Sequence, residues 1–176
     1  PEVVKKRIPI LLEGTTVKSL KIKLGSVDGI EADKSMFEQV VKSTKKYNVK
    51  IRVDANGGWN IADARHMMKW LADRGVDYVE QPLKEGEEFN LEELYENRPV
   101  PIYLDETCRF SENISSFAHC VDGVNMKLMK CGGITEALKI IKTARKYKLK
   151  TMIGCMSESS VSIAAAAALS LSLIHI

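Results

Sequence analysis

Val124-Asn125-Met126-Lys127-Leu128-Met129-Lys130-Cys131-Gly132-Gly133 places a lysine at the end of a short apolar run, just before a glycine-rich turn. Alone, such a stretch decides little. Four earlier runs give it meaning: Leu20-Lys21-Ile22-Lys23-Leu24, Ile51-Arg52-Val53-Asp54, Tyr78-Val79-Glu80 and Ile102-Tyr103-Leu104-Asp105. Each is a short β-favouring run with a charged residue at or near its end. The residues capable of chemistry therefore read Lys23, Asp54, Glu80, Asp105, Lys127, separated by 31, 26, 25 and 22 positions, with three acids between two bases.

Helix punctuation fills the intervals. Pro9 would break a helix interior, so residues 1–8 are left unassigned and 9–13 read as a helical turn with proline at its first position. Strands are expected over 17–24, 49–54, 77–80, in the run ending at 105, and over 121–128 and 149–154. Helices are expected over 33–47, from the cap Asn60 to 74 with Gly75 as the stop, from the cap Asn90 to 97, over 111–119, from the cap Thr135 to 147, and in an alanine-rich segment opened by Ser157 or Ser159. Consecutive strands joined by helices run parallel. A doubly wound open sheet would scatter the five charged strand ends along its edge, whereas a (β/α) barrel gathers them at one mouth. The expected fold is therefore α/β, a partial TIM-type barrel. A complete barrel takes ~250 residues, and only six of its eight strands are recognisable here.

Composition bounds the partners. With 45% hydrophobic and 28% charged residues over 176 positions, the chain can build one domain with a real core. A net charge of +3, spread along the chain, implies no nucleic-acid surface. The four cysteines, Cys108, Cys120, Cys131 and Cys155, form no C-x-x-C pair, which favours a reduced, cytoplasmic setting and speaks against zinc. The run from Val161 to Ile176 falls short of the ~20 apolar residues that span a bilayer, so no membrane segment is expected. The closing segment Leu169–Ile176 has no cap, clear polar face or turn chemistry, and reads as a cut or misread chain.

Five motifs carry a family resemblance: Lys-x-Lys at Lys21 and Lys23, Asp-x-Asn at Asp54 and Asn56, Glu-Gln-Pro at Glu80, Asp-Glu-Thr at Asp105, and Asn-x-Lys-x-x-Lys-x-Gly-Gly at Lys127. Together, in this order, they resemble the enolase superfamily, in its muconate-lactonising subgroup. Gly154-Cys155-Met156-Ser157-Glu158-Ser159-Ser160 further resembles the seventh strand of dipeptide epimerases of the L-Ala-D/L-Glu type. The resemblance makes residues 1–176 a fragment of the catalytic barrel, strands two to seven, without the N-terminal capping domain and the first and last strands. It assigns Lys23 as a base and Lys21 as its electrostatic partner.

The chemistry also follows from the residue types. Three carboxylates at neighbouring strand ends repel one another unless protons or a cation neutralise them. Oxygen donors without histidine or cysteine suit Mg²⁺, held by Asp54, Glu80 and Asp105. Lys21 and Lys23 share one strand face, expected to be the enclosed one, where two ammonium groups and burial would lower the pKa. With Lys127 across the mouth, one base could remove a proton from a planar intermediate and the other return it. Asn56, Glu106 and Glu158 are candidate substrate or supporting residues. Lys130, beyond the strand beside the glycines, reads as turn or surface, and Trp59, Trp70, Cys131 and Cys155 read as packing.

The expected activity is a Mg²⁺-dependent isomerase that abstracts a proton alpha to a carboxylate or carbonyl, with dipeptide epimerisation leading. Muconate cycloisomerase and o-succinylbenzoate synthase share the same residues, and an inactive fragment or a binding or scaffold protein is the alternative of another class. The expected partner is a small-molecule carboxylate such as a dipeptide, without nucleic acid or membrane, and with self-association into a homo-oligomer left open.

Overall fold

The computed structural model describes residues 2–174, which form two compact units divided between residues 102 and 103. In the first, the elements in order are α1 (Glu2–Leu12), β1 (Ser19–Lys23), α2 (Ile30–Thr44), β2 (Lys50–Asp54), α3 (Ile61–Ala72), β3 (Val79–Glu80) and α4 (Leu91–Glu96). β1 pairs with β2 and β2 with β3, both in parallel. Alternation along β1 buries Ile22, while Lys21 and Lys23 stay open. Asn60 caps α3 as expected, its side chain accepting from the Asp63 amide at 2.9 Å. The apolar stripes of α2 and α3 supply fully buried Phe37, Met67, Met68 and Leu71, and Phe37 meets the edge of Trp70 at 5.3 Å between ring centroids.

The second unit takes in β4 (Ile102–Leu104) from its second residue, then α5 (Ser111–Phe117), β5 (Gly123–Met126), α6 (Leu128–Cys131), α7 (Ile134–Lys146), β6 (Lys150–Ile153) and α8 (Ser160–Ile174). β4 pairs with β5 and β5 with β6, again in parallel. Its core joins Val124 and Met126 to Ile114 and to Ala137, Ile140, Ile141 and Ala144 of α7. Gly123 is required by packing, because a Cβ there would meet the Tyr103 ring at 2.5 Å and the Lys150 carbonyl at 2.8 Å. Ser111 and α7 are tied by Glu136, which accepts from the Ser111 amide at 2.9 Å and its hydroxyl at 2.7 Å.

Several local expectations are corrected. α1 runs through Pro9 rather than starting at it. The lost bond concerns only the carbonyl of exposed Lys5, which solvent can take, and the Glu13 amide still reaches the Pro9 carbonyl at 2.9 Å. α2 begins three residues before Asp33, at Ile30. Asn90 does not cap α4, because a 3₁₀ turn over Glu88–Asn90 already holds it at helical angles. Thr135 lies inside the first turn of α7, whose cap is Gly133 at φ 133°. No helix among the described residues is long and apolar enough to cross a membrane. Most of the closing segment is helical in α8, and His175 and Ile176 lie outside the described residues.

Candidate active site

Parallel register builds the first half of the site. Lys23 is opposite Asp54 and Asp54 opposite Glu80, so three strand ends form one row, and in-register residues of parallel strands share a face. Both carboxylates are buried. Lys21 Nζ donates to Glu80 Oε2 at 2.8 Å and Oε1 at 3.1 Å, and lies 3.6 Å from Asp54 Oδ2. Lys23 Nζ donates to Asp54 Oδ2 at 2.8 Å and to Asn56 Oδ1 at 3.3 Å. The lysine side chains are 29% and 63% exposed while the acids they contact are buried, and Ile22 within β1 and Leu24 just after it are buried as well.

The loops behind this row are tightly specified. Asp54 Oδ1 accepts the Asn56 amide at 2.9 Å, with Asn56 at φ 48°, and the residue after Glu80, Gln81, sits at φ 40°. Non-glycine residues in the left-handed region are uncommon, and strained backbone gathers at functional sites. Gly25, two residues past Lys23, packs so closely on the next loop that a Cβ would lie 2.0 Å from the Ala55 carbonyl oxygen. Buried Asp33 holds this junction together, accepting the Gly25 and Ser26 amides at 3.0 Å each and Trp59 Nε1 at 2.8 Å. Asp33 escapes sequence reading as a clamp because it looks like an ordinary first-turn acid. Trp59 is buried packing, as expected, with this polar contact added.

In the second unit, Asp105 and Lys127 each follow the last residue of a strand, and the register pairs Leu104, next to Asp105, with Val124, three residues before Lys127. Asp105 is buried and Lys127 nearly so. Lys127 Nζ donates to Asp105 Oδ2, and Lys130 Nζ donates to Asp105 Oδ1 at 2.7 Å. Burial pushes the Asp105 carboxyl up, but the Lys130 charge, hydrogen bonds from both lysines and the Lys127 charge outweigh it and hold the group below its ordinary value. Lys130, expected as turn or surface, is instead largely buried in a helical turn and bonded to Asp105. The helical turn α6 folds it back beside Lys127, leaving its side chain 11% exposed. The sequence signal was its i,i+3 spacing from Lys127, which becomes informative only if the residues between are helical.

The remaining candidates are placed less centrally. Glu106 is half-buried in the turn after Asp105. Glu158 accepts the Met156 amide at 2.8 Å and the Ser162 hydroxyl, at the start of α8. Those two bonds hold its carboxyl below the ordinary value against partial burial, and the charge of Lys127 adds to them. Cys131 is buried and Cys155 exposed. Burial pushes the Cys108 thiol up to about 11, with Lys130 opposing, so it is no nucleophile near neutral pH.

Comparison with known proteins agrees with this layout. The family model for "Enolase C-terminal domain-like" proteins matches residues 7–175, across both units. The α/β fold with six parallel strands is thus the partial barrel expected from the sequence. A hydrophobic dipeptide epimerase of a Flavobacteria bacterium (strain MS024-2A) is 73% identical over 176 residues, covering 100% of this chain and 50% of that protein. A second hydrophobic dipeptide epimerase, from Roseobacter litoralis, is 57% identical over 169 residues, covering 96% of this chain and 49% of its own. The chain thus spans about half the length of the curated relatives it matches. Among solved structures, the dipeptide epimerase from Enterococcus faecalis V583, complexed with Mg and the dipeptide L-Leu-L-Tyr, superposes with a TM-score of 0.83 at 34% identity, over 96% of this chain and 46% of that one.

Proposed function

The chain belongs to the enolase C-terminal domain-like family, and from that premise we propose that it is the central part of a Mg²⁺-dependent dipeptide epimerase's catalytic barrel. The capping domain and the first and last strands would belong to the rest of the full-length protein, which we place in the cytoplasm. The observation that carries the reading is the row Lys23, Asp54, Glu80, with its acids buried and its lysines in contact with them. Asp54, Glu80 and Asp105 are the acids that would hold the metal, and an all-carboxylate donor set fits Mg²⁺. Bound there, the ion would coordinate the substrate's carboxylate or carbonyl and stabilise the negative charge of the enolate.

The protein's own residues do the proton work. Lys23, as the free amine, takes the proton from the α-carbon of the dipeptide's C-terminal residue, and that C–H electron pair passes into the enolate. Lys127, as the ammonium, returns a proton to the opposite face, inverting the centre without net redox change. Reversal of the roles serves the other epimer. Lys21 holds Glu80 and lends positive charge beside Lys23, while Asn56 Oδ1 orients the Lys23 ammonium. Two relatives named for hydrophobic dipeptides turn the proposed substrate toward apolar side chains rather than glutamate.

The test is exchange in deuterated water with the full-length protein, Mg²⁺, and L-Leu-L-Tyr beside L-Ala-L-Glu. Deuterium should enter the C-terminal α-carbon with formation of the epimer, faster for the apolar dipeptide and not at all with chelator. Absence of exchange from any dipeptide, with turnover of muconate or a succinylbenzoate precursor, would sink the epimerase reading and leave the metal-enolate chemistry.

A further inference from the structure

We propose that Lys130 is a positioning residue: it fixes the Asp105 carboxylate for metal binding and moves no proton itself. The inference rests on the magnesium-site reading above. A lysine ammonium has three N–H donors and no acceptor. Lys130 Nζ meets three oxygens: Asp105 Oδ1 at 2.7 Å, the Asn125 carbonyl at 2.8 Å, and the Asp105 carbonyl. Two of these belong to one residue, so the ammonium bridges the main chain and side chain of Asp105 and restrains both of its side-chain torsions. The third belongs to β5, which ties Asp105 to the neighbouring strand.

The two lysines divide the carboxylate between them. Oδ1 is held by an ammonium whose donors are all engaged, whereas Oδ2 faces Lys127. Asp105 therefore presents Oδ2 to the site and turns Oδ1 into the protein. The turn α6 makes this division rigid. Lys127 caps it, the amides of Lys130 and Cys131 donate to the Lys127 carbonyl at 3.1 Å each, and left-handed Gly132 ends it. Its three-residue offset carries Lys130 behind the carboxylate that Lys127 approaches from the other oxygen.

Lys130 also brings a positive charge near the metal, and that charge alone would weaken cation binding. Positioning and charge therefore predict opposite signs, which makes them separable. Metal affinities of the full-length protein would be measured by calorimetric titration with Mg²⁺, wild type first. If the wild type binds no Mg²⁺, the site reading itself fails, and the comparison of variants is not reached on that account alone. With wild-type binding established, Lys130→Met, which removes the charge and all three bonds, should raise the Mg²⁺ Kd by about 10–100-fold, the usual cost of losing a group that orients a metal ligand. Turnover should be regained as Mg²⁺ is raised. Unchanged or tighter binding would overturn the proposal, because the charge would then be the whole of the residue's effect. Turnover that stays absent at saturating Mg²⁺ would overturn it too, by making Lys130 a proton-transfer residue. Should the methionine variant not fold, Lys130→Arg decides, since it keeps the charge but cannot converge three donors from one nitrogen. A several-fold higher Kd at a wild-type melting temperature supports positioning, and a wild-type Kd refutes it.

Discussion

Removing the Asp33 carboxylate should cost about 3 kcal/mol of stability, and the structure divides that figure among its three donors. Trp59 Nε1 is in a buried contact at 2.8 Å, so losing a charged acceptor leaves an indole N–H unsatisfied, at about 2 kcal/mol. The Gly25 and Ser26 amides, at 3.0 Å each, lie in half-buried positions that solvent can reach, so each loses about 0.5 kcal/mol. Asp33→Asn is milder. Oδ2 accepts both Gly25 and Trp59 while Oδ1 accepts only Ser26, so an amide with its oxygen at the Oδ2 position keeps two bonds and costs about 1 kcal/mol. Trp59→Phe removes the same indole bond from the other side, and the pair should therefore couple by about 1.5–2 kcal/mol in a double-mutant cycle. Urea midpoints of the full-length protein at constant m value give these numbers. An Asp33→Ala loss below about 1 kcal/mol, or costs that simply add with Trp59→Phe, would refute the clamp.

Four further outcomes are expected. Gly25→Ala should lower both melting temperature and dipeptide exchange, because its Cβ would lie 2.0 Å from the Ala55 oxygen at a φ of 82°, and the loop that follows Lys23 must move away; a wild-type exchange rate would contradict this. Glu80→Gln removes a proposed metal ligand and the charge partner of Lys21, so calorimetry should show weakened Mg²⁺ binding together with lost turnover. The Glu136 carboxyl is held down to about 2 from 4.5 by the Ser111 amide and hydroxyl, against slight burial and with help from Lys139. Its stabilisation is therefore fully present above pH 4.5 and lost as pH falls toward 2, so Glu136→Gln should show a shallower decline of urea midpoint over that window than wild type. Peptide mapping after brief alkylation at mild alkaline pH should find exposed Cys155 modified and buried Cys108, with its thiol raised to about 11, protected.

Six parallel strands were legible because each run is short, β-favouring and bounded by turn residues, and because a strand end carries its charge into view. The misreadings fall where one residue type serves two structures. Pro9 reads as a helix start, since proline at the first position and proline inside a helix look alike in sequence and differ only in the exposure of the residue four earlier. Leu128–Cys131 reads as strand end and turn because four residues are too few for periodicity to mark the helix found there. Asn90 and Thr135 are good caps by type, but capping needs extended backbone angles. A 3₁₀ turn before Asn90 and a left-handed glycine before Ile134 had already set the entries.

The site was legible to the depth of one strand face. Parallel register converts the similar positions of charged residues at strand ends into a row in space, so Lys23, Asp54 and Glu80 are legible as neighbours from the sequence. That logic reaches only residues within strands. Lys130 and Asp33 act through turns and helix starts, where a side chain returns to a site that its own segment has left. Both hold their partners through multiple bonds from one terminal group, Lys130 as donor to three oxygens and Asp33 as acceptor of three N–H groups. Such convergence has no signature in residue type or spacing, since an exposed lysine and a first-turn aspartate read the same way. It follows that the groups proposed to bind and react are legible from strand ends, while the groups that hold those ends and their loops in place show only in their hydrogen bonds.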